Sequence, residues 1–140
     1  MTQISLMASS VEIGNTSFIK VITGSLANAK AIAQYIKKVQ PKEVTLIAMG
    51  VMGTKSAPED LLCARYIRSL LEEKPLNMEE EIAILRQTPE AKKFFDIRSQ
   101  SVFPMEDYEI CVAYDSIDLV LQANKIEEDV FCVRKIAHQI

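Results

Sequence analysis

The sequence predicts an α/β fold, a three-layer α/β/α arrangement with a mainly parallel sheet and a C-terminal antiparallel edge hairpin. Apolar strand segments at 18–23 and 44–49 alternate with helical segments at 25–40 and 58–73. This alternation is typical of right-handed βαβ crossovers. The nearly continuous apolar run at 44–49 also suits a strand that is covered on both faces. With 140 residues and 49% hydrophobic residues, the chain is predicted to form one α/β domain over residues 1–140.

The first half of the chain contains three predicted strands and one helix. "ISLMAS" at 4–9 indicates a short buried strand, and Gly14-Asn15 indicates the turn that follows it. "FIKVIT" at 18–23 is rich in β-branched and aromatic residues. The helix after Gly24-Ser25 has apolar residues at helical spacing and ends before Pro41.

The second half is predicted to be mostly helical before it ends in strands. The helix from Pro58 to about Glu73 has the pattern of a capping box, with Ser56 at the N-cap and Glu59 at N3. Three shorter helical segments follow, "NMEEEIAILRQ", "TPEAKKFFD" and "PMEDYEICVAY". "IDLVLQA" and "DVFCVRKI" then predict a hairpin at the sheet edge.

Composition excludes several classes of partner. The net charge of −3 and scattered basic residues argue against nucleic acid binding, which needs clustered Lys and Arg. No apolar run approaches the roughly 20 residues of a membrane span. The three cysteines form no C-x-x-C pair and lie far apart, as expected in a reducing compartment. We therefore expect a soluble, cytoplasmic protein.

Small residues and glycines follow each of the first three predicted strands. In parallel α/β sheets, ligands bind where strands end and helices begin, and glycines and free N–H groups there favour an anion. Helix capping by itself also enriches such residues, so both interpretations stay open. The candidate substrate-binding residues at these strand ends are Ser9, Ser10, Gly24, Ser25, Gly50 and Gly53.

The loop "AMGVMGTKS" is not a nucleotide-binding P-loop. The Walker pattern needs adjacent Gly and Lys, whereas Thr54 separates Gly53 from Lys55. The two carboxylates that follow, Glu59 and Asp60, could hold Mg²⁺ together with water. The spacing by itself favours a role at the helix start instead, where they would close the capping box and complement the helix dipole.

Three stretches resemble a known family. "GSLANAKAIAQYI", "PEDLLCARYI" and "FPMEDYEICVAYDSIDLVLQA" look like parts of the C-terminal half of the 2-phosphosulpholactate phosphatases, in the same order. The resemblance covers about residues 4–136, and "EDLLCA" is its most specific part.

The resemblance implies a Mg²⁺-dependent phosphatase that acts on a small anionic phosphoester. It implies Glu59 and Asp60 as catalytic and metal-binding residues. It also places Asn28 among the substrate-binding residues, beside Gly24, Ser25 and Gly50. A phosphoric monoester hydrolase is therefore the leading interpretation of the sequence.

The N-terminal Asp-x-x-Arg-Ala-Thr-Thr type motif of the family has no counterpart here, and Arg65 replaces a family glycine. We therefore expect that this chain alone carries only part of the site, and that a homo-oligomer or a separately encoded N-terminal half completes it. The alternative is a non-catalytic remnant that binds a ligand or another protein, and a purely structural domain is a third possibility.

Overall fold

The computed structural model describes residues 4–13 and 16–136. Gly14-Asn15, where a turn is predicted, and His138 lie outside the described residues. In chain order the elements are β1 (Ile4–Ile13), β2 (Thr16–Gly24), a 3₁₀ turn (Leu26–Asn28), α1 (Ala29–Val39), β3 (Glu43–Ala48), α2 (Pro58–Glu72), α3 (Met78–Arg86), α4 (Pro89–Lys92), two 3₁₀ turns (Lys93–Phe95 and Ile97–Ser99), α5 (Met105–Val112), β4 (Val120–Glu127) and β5 (Val130–Ile136).

The five strands form one sheet in the order β3-β1-β2-β4-β5, and every described pair is antiparallel. The predicted mainly parallel sheet is therefore wrong. β2 and β3 do run in the same direction and are joined through α1, but β1 lies between them and pairs with both. Parallel strands need a long crossover, whereas the short link from β1 to β2 allows only an antiparallel pair. The predicted C-terminal hairpin is confirmed, with β5 at the sheet edge.

The register separates the predicted strand-end residues into two groups. The C-terminal ends of β2 and β3 lie at the same end of the sheet, because Ile4 pairs with both Gly24 and Ala48. Ser9 instead pairs with Glu43, the first residue of β3, and Ser10 follows it within β1. At about 3.3 Å per residue along β1, the serines lie roughly 17 Å from that end of the sheet. The expectation that Ser9 and Ser10 end a strand beside Gly24 and Gly50 is therefore wrong.

The core lies between one face of the sheet and helices α1 and α2. Ile22 and Val120 from the sheet, Ile32 from α1, and Cys63 and Ile67 from α2 are completely buried there. Helix α2 also packs against β3, α3 packs on α2, and α5 packs on the first 3₁₀ turn. On the opposite face of β5, Phe131 and Val133 are exposed. The second helix layer that we predicted is not found among the described residues.

Helix α2 begins at Pro58 as predicted, but its cap differs from the prediction. Ala57 is the N-cap, with extended backbone and no capping side chain. Ser56 lies one residue too early to cap the helix, and Glu59 is at N2 rather than N3. The predicted capping box is therefore wrong, and no side chain of the described residues caps the first N–H groups of α2.

The loop from β3 to α2 is closed on itself by backbone hydrogen bonds. The Val51 N–H donates to the Lys55 carbonyl over 2.7 Å, and the Lys55 N–H donates back over 3.2 Å. Gly50 and Gly53 both have positive φ, 67° and 69°. A Cβ added at Gly50 would lie 2.1 Å from the Lys55 carbonyl oxygen, whereas one added at Gly53 would contact nothing. Positive φ favours glycine at both positions, but only at position 50 is there also no room for a Cβ.

These two glycines form a matched pair for a stability test. Both Gly50→Ala and Gly53→Ala place alanine at positive φ, which costs about 1 kcal/mol. Gly50→Ala must in addition push the Lys55 carbonyl away, so we expect it to lower the free energy of unfolding by at least ~2 kcal/mol. Urea denaturation of both variants measures the difference. Equal destabilisation would contradict the packing of the loop described here.

Candidate functional site

A cavity of about 200 Å³ opens beside the start of α2. This volume is below the roughly 300–1,000 Å³ of pockets for drug-sized ligands, so the cavity suits a small molecule. Leu26 and Leu85 contribute apolar surface between two walls. The first wall comes from the β3–α2 loop and the start of α2, and the second from the α3–α5 region. The first contains Val51, Lys55, Ser56, Ala57 and Glu59, and the second contains Thr88, Glu90, Ala91, Lys93, Phe94, Tyr108, Cys111 and Val112.

The first wall has the features of an anion site. No side chain in the described part of the chain caps the early N–H groups of α2, and the positive end of the helix dipole lies there. Helix starts of this kind bind phosphate and carboxylate. Lys55 belongs to the same wall, and Lys93 belongs to the second wall. Two glutamates, Glu59 and Glu90, also line the cavity and balance these cationic charges.

Tyr108 brings a buried hydroxyl to the second wall. The residue is only 8% exposed, and its hydroxyl has no hydrogen-bond partner within the part of the chain that the structure describes. Burial raises the pKa of this phenol, and the nearby Arg86 charge lowers it to a smaller extent. Tyr108 therefore stays a neutral O–H donor at neutral pH.

Asp60 is buried behind the cavity rather than lining it. Its side chain accepts a hydrogen bond from the Gly50 N–H over 2.7 Å through Oδ2, whereas Oδ1 is buried without a described partner. Burial raises the pKa of Asp60, the Gly50 hydrogen bond opposes this, and the Glu59 charge raises it further. Consecutive helix residues point about 100° apart around the axis. Glu59 therefore points away from Asp60, and it lines the cavity.

The two acids fit a metal only as a minimal ligand set. The described residues contain no group of three His, Cys, Asp or Glu side chains that could hold a metal ion. Mg²⁺, however, often takes one or two protein carboxylates and completes its shell with water and substrate oxygens. The unpartnered oxygen of Asp60 and the position of Glu59 at the cavity are the features here that suit such an ion.

Ser25 and Asn28 use their polar groups on each other and on the backbone. The Ser25 N–H and hydroxyl donate to Asn28 Oδ1 over 2.9 and 3.3 Å, and Asn28 Nδ2 donates to the Leu119 carbonyl over 3.2 Å. Asn28 is only 5% exposed. Its amide therefore joins the end of β2 to the segment before β4, and neither residue lines the cavity.

The structure thus brings together only part of the predicted site. Glu59 lines the cavity, while Gly50 and Asp60 support the wall that carries it. Gly24 ends β2 at the same sheet edge, Gly53 lies at the exposed loop tip, and Ser9 and Ser10 lie at the far end of the sheet. Sequence reasoning missed the opposite wall, with Lys93, Tyr108 and Cys111. No local pattern marks these residues, because they line the cavity only when α5 packs near the start of α2.

The second wall is held in place by the segment after α5. Asp115 Oδ1 accepts from the Lys30 N–H over 2.9 Å, and Oδ2 accepts from the Tyr66 hydroxyl over 2.6 Å. The Asp115 N–H also donates to the Leu26 carbonyl over 3.0 Å. The end of α5 is therefore tied to both α1 and α2.

Loss of the Asn28 amide should destabilise the fold. Asn28→Ala leaves the Leu119 carbonyl and the Ser25 N–H without their partner, so we expect a loss of about 2 kcal/mol in the free energy of unfolding. Asn124→Ala is the control, because the side-chain hydrogen bonds of Asn124 among the described residues go to Gln122 in its own strand. We expect the control to lose less than about 1 kcal/mol by denaturant titration. Equal losses would contradict the bridging role of Asn28.

Asp60 should give stability a distinct pH dependence. Below its ordinary pKa of 3.8 the carboxyl is protonated in both the folded and the unfolded chain. As the pH rises from 3.8 through the raised pKa, the unfolded chain loses this proton first, so stability falls. Asp60→Asn should lack this component. The difference in unfolding free energy between wild type and variant, followed from pH 3.5 to 8, isolates it, and a difference that does not change with pH would contradict the raised pKa.

No described helix has both the length and the apolar composition needed to cross a bilayer.

Comparison with known proteins adds a family to this geometry. No curated protein and no solved structure gives a match. The family model described as 2-phosphosulpholactate phosphatase, in contrast, matches residues 14–134, which is most of the chain, and this confirms the resemblance found in the sequence. The chain therefore belongs to the 2-phosphosulpholactate phosphatase family.

Proposed function

We propose that this protein binds a small phosphorylated or sulfonated anion in the cavity beside α2 and hydrolyses its phosphoester with the help of Mg²⁺. The observation that carries the proposal is the start of α2, which no described side chain caps and which borders the same cavity as Lys55, Glu59 and Tyr108. Family membership supports a phosphatase-like activity.

Phosphate would bind at the first wall. The N–H group of Glu59 is available as a donor at the positive end of the α2 dipole, and Ser56 and Lys55 line the same wall of the cavity. These groups offset the negative charge of the phosphoryl oxygens. The small cavity volume favours a compact phosphoester over a nucleotide.

Glu59 is the residue that we assign to the chemistry. Its carboxylate lines the cavity and can accept a proton from the attacking water. Of the two acids, Glu59 would also hold Mg²⁺ from within the cavity, whereas Asp60 lies behind the cavity and would reach the ion only through Oδ1, which has no partner among the described residues. When bound, the ion neutralises charge on the phosphoryl group.

A second function, ligand binding without turnover, is favoured by one specific observation. Asp60 uses one of its carboxylate oxygens to hold the Gly50 N–H, and the residue is only 3% exposed. A carboxylate used in this way supports the loop and would leave Glu59 alone in the cavity. The anion site at the first wall would function equally well in such a protein.

A phosphatase assay with 2-phosphosulpholactate, with and without Mg²⁺, tests the proposal. We expect Mg²⁺-dependent turnover that falls at least ~100-fold in Glu59→Gln, because a positioned acid or base contributes about 10²–10⁴-fold. Glu79→Gln is the matched control, since Glu79 lies in the first turn of α3 and outside the cavity lining. It should keep wild-type activity.

Calorimetric titration with the same compound separates the two functions. Binding without turnover would support the second function and exclude catalysis of this reaction by the chain. If neither binding nor turnover is detected, the cavity is not the site of this substrate, and both functions proposed for it fail.

A further inference from the structure

We infer that Tyr108 is a specificity-determining residue of this cavity, whose hydroxyl donates a hydrogen bond to an acceptor on the organic part of the bound phosphoester. The inference rests on the proposed function, because it assumes that the phosphoryl group binds at the first wall. It assigns the second wall to the rest of the ligand. It also restricts the ligand to phosphoesters that carry an oxygen acceptor on the carbon skeleton.

The Tyr108 hydroxyl is a donor in need of a partner. It is buried, it has no partner among the described residues, and its side chain lines the cavity. Buried polar groups in native proteins are nearly always hydrogen-bonded, because an unmade bond leaves the full cost of desolvation. A ligand acceptor that enters the cavity would satisfy this hydroxyl.

The ring of Tyr108 is packed between neighbouring aromatic side chains, which fixes the position of its hydroxyl oxygen. Phe95 packs against it edge-on with 5.0 Å between ring centroids, and Phe94 packs at 6.0 Å. The Arg86 guanidinium in turn lies 4.3 Å from the Phe95 centroid. Such packing orients a donor before the ligand arrives, which is how a binding site gains specificity.

The surroundings of the hydroxyl favour a carbon skeleton with one acceptor. Val112, Ala91, Leu85 and Phe94 give this side of the cavity an apolar surface. The Lys93 ammonium lies over the rings of Phe94 and Phe103, at 5.2 and 4.4 Å from their centroids. The phenol is therefore a neutral, directional donor beside these apolar side chains. A site built to hydrogen-bond a substrate group discriminates strongly against analogues that lack it.

Two small phosphoesters and a conservative variant test the inference by calorimetry. Phosphoglycolate carries a carboxylate acceptor next to its ester, whereas ethyl phosphate has no acceptor on its carbon skeleton. We expect wild type to bind phosphoglycolate more tightly. Tyr108→Phe should lower the affinity for phosphoglycolate about tenfold and leave that for ethyl phosphate within about twofold. Its Tm should not fall, because the ring contacts remain and an unpartnered hydroxyl is removed.

Tyr114→Phe is the matched control, because Tyr114 lies outside the cavity lining and should leave both affinities unchanged. Unchanged binding in Tyr108→Phe would overturn the inference and leave the proposed function standing. An equal loss for both compounds would place the hydroxyl on the phosphate and would also overturn it. Equal affinity of wild type for the two compounds overturns it without any variant. If wild type binds neither compound, the proposed anion site fails, and the inference fails with it.

Discussion

The hydrogen bond from the Gly50 N–H to Asp60 Oδ2 is the interaction on which the site depends. It joins the end of β3 to the first turn of α2, and Gly50 has no room for a side chain beside the Lys55 carbonyl. The bond requires a buried carboxylate, and the unfavourable desolvation of this group raises its pKa. The helix dipole and the Gly50 N–H partly offset that cost. Without this link, the loop would not hold Lys55 and Ser56 beside the start of α2.

The opposite wall depends on a second set of polar contacts. Asp115 connects the segment after α5 to the start of α1 and to Tyr66 of α2. This segment also donates backbone hydrogen bonds to Leu26 and Ala27. Both cavity walls are therefore anchored to the buried core around α1 and α2. Such anchoring holds the start of α2 and Tyr108 at a fixed separation, which would preorganise the proposed anion site.

Local patterns were sufficient for most helices and strands but not for their pairing. Apolar periodicity and Pro58 located α2, and Thr88-Pro89 located the start of α4. The sheet was predicted to be mainly parallel because strands and helices alternate. In the structure β1 lies between β2 and β3, and this order depends on contacts between distant residues that no local pattern contains. The same limit explains the error over Ser9 and Ser10, which lie within β1 at the far end of the sheet.

By itself the sequence determined the family, most of the helices and strands, and the terminal hairpin. These features depend on local composition and on short motifs that neighbouring residues define. Only the tertiary structure decided that Glu59 faces a cavity while Asp60 turns to the backbone of Gly50. It also brought Lys93 and Tyr108 to the same cavity. The physical reason is that a cavity forms between elements distant in sequence, and its position depends on which faces pack together to bury apolar surface.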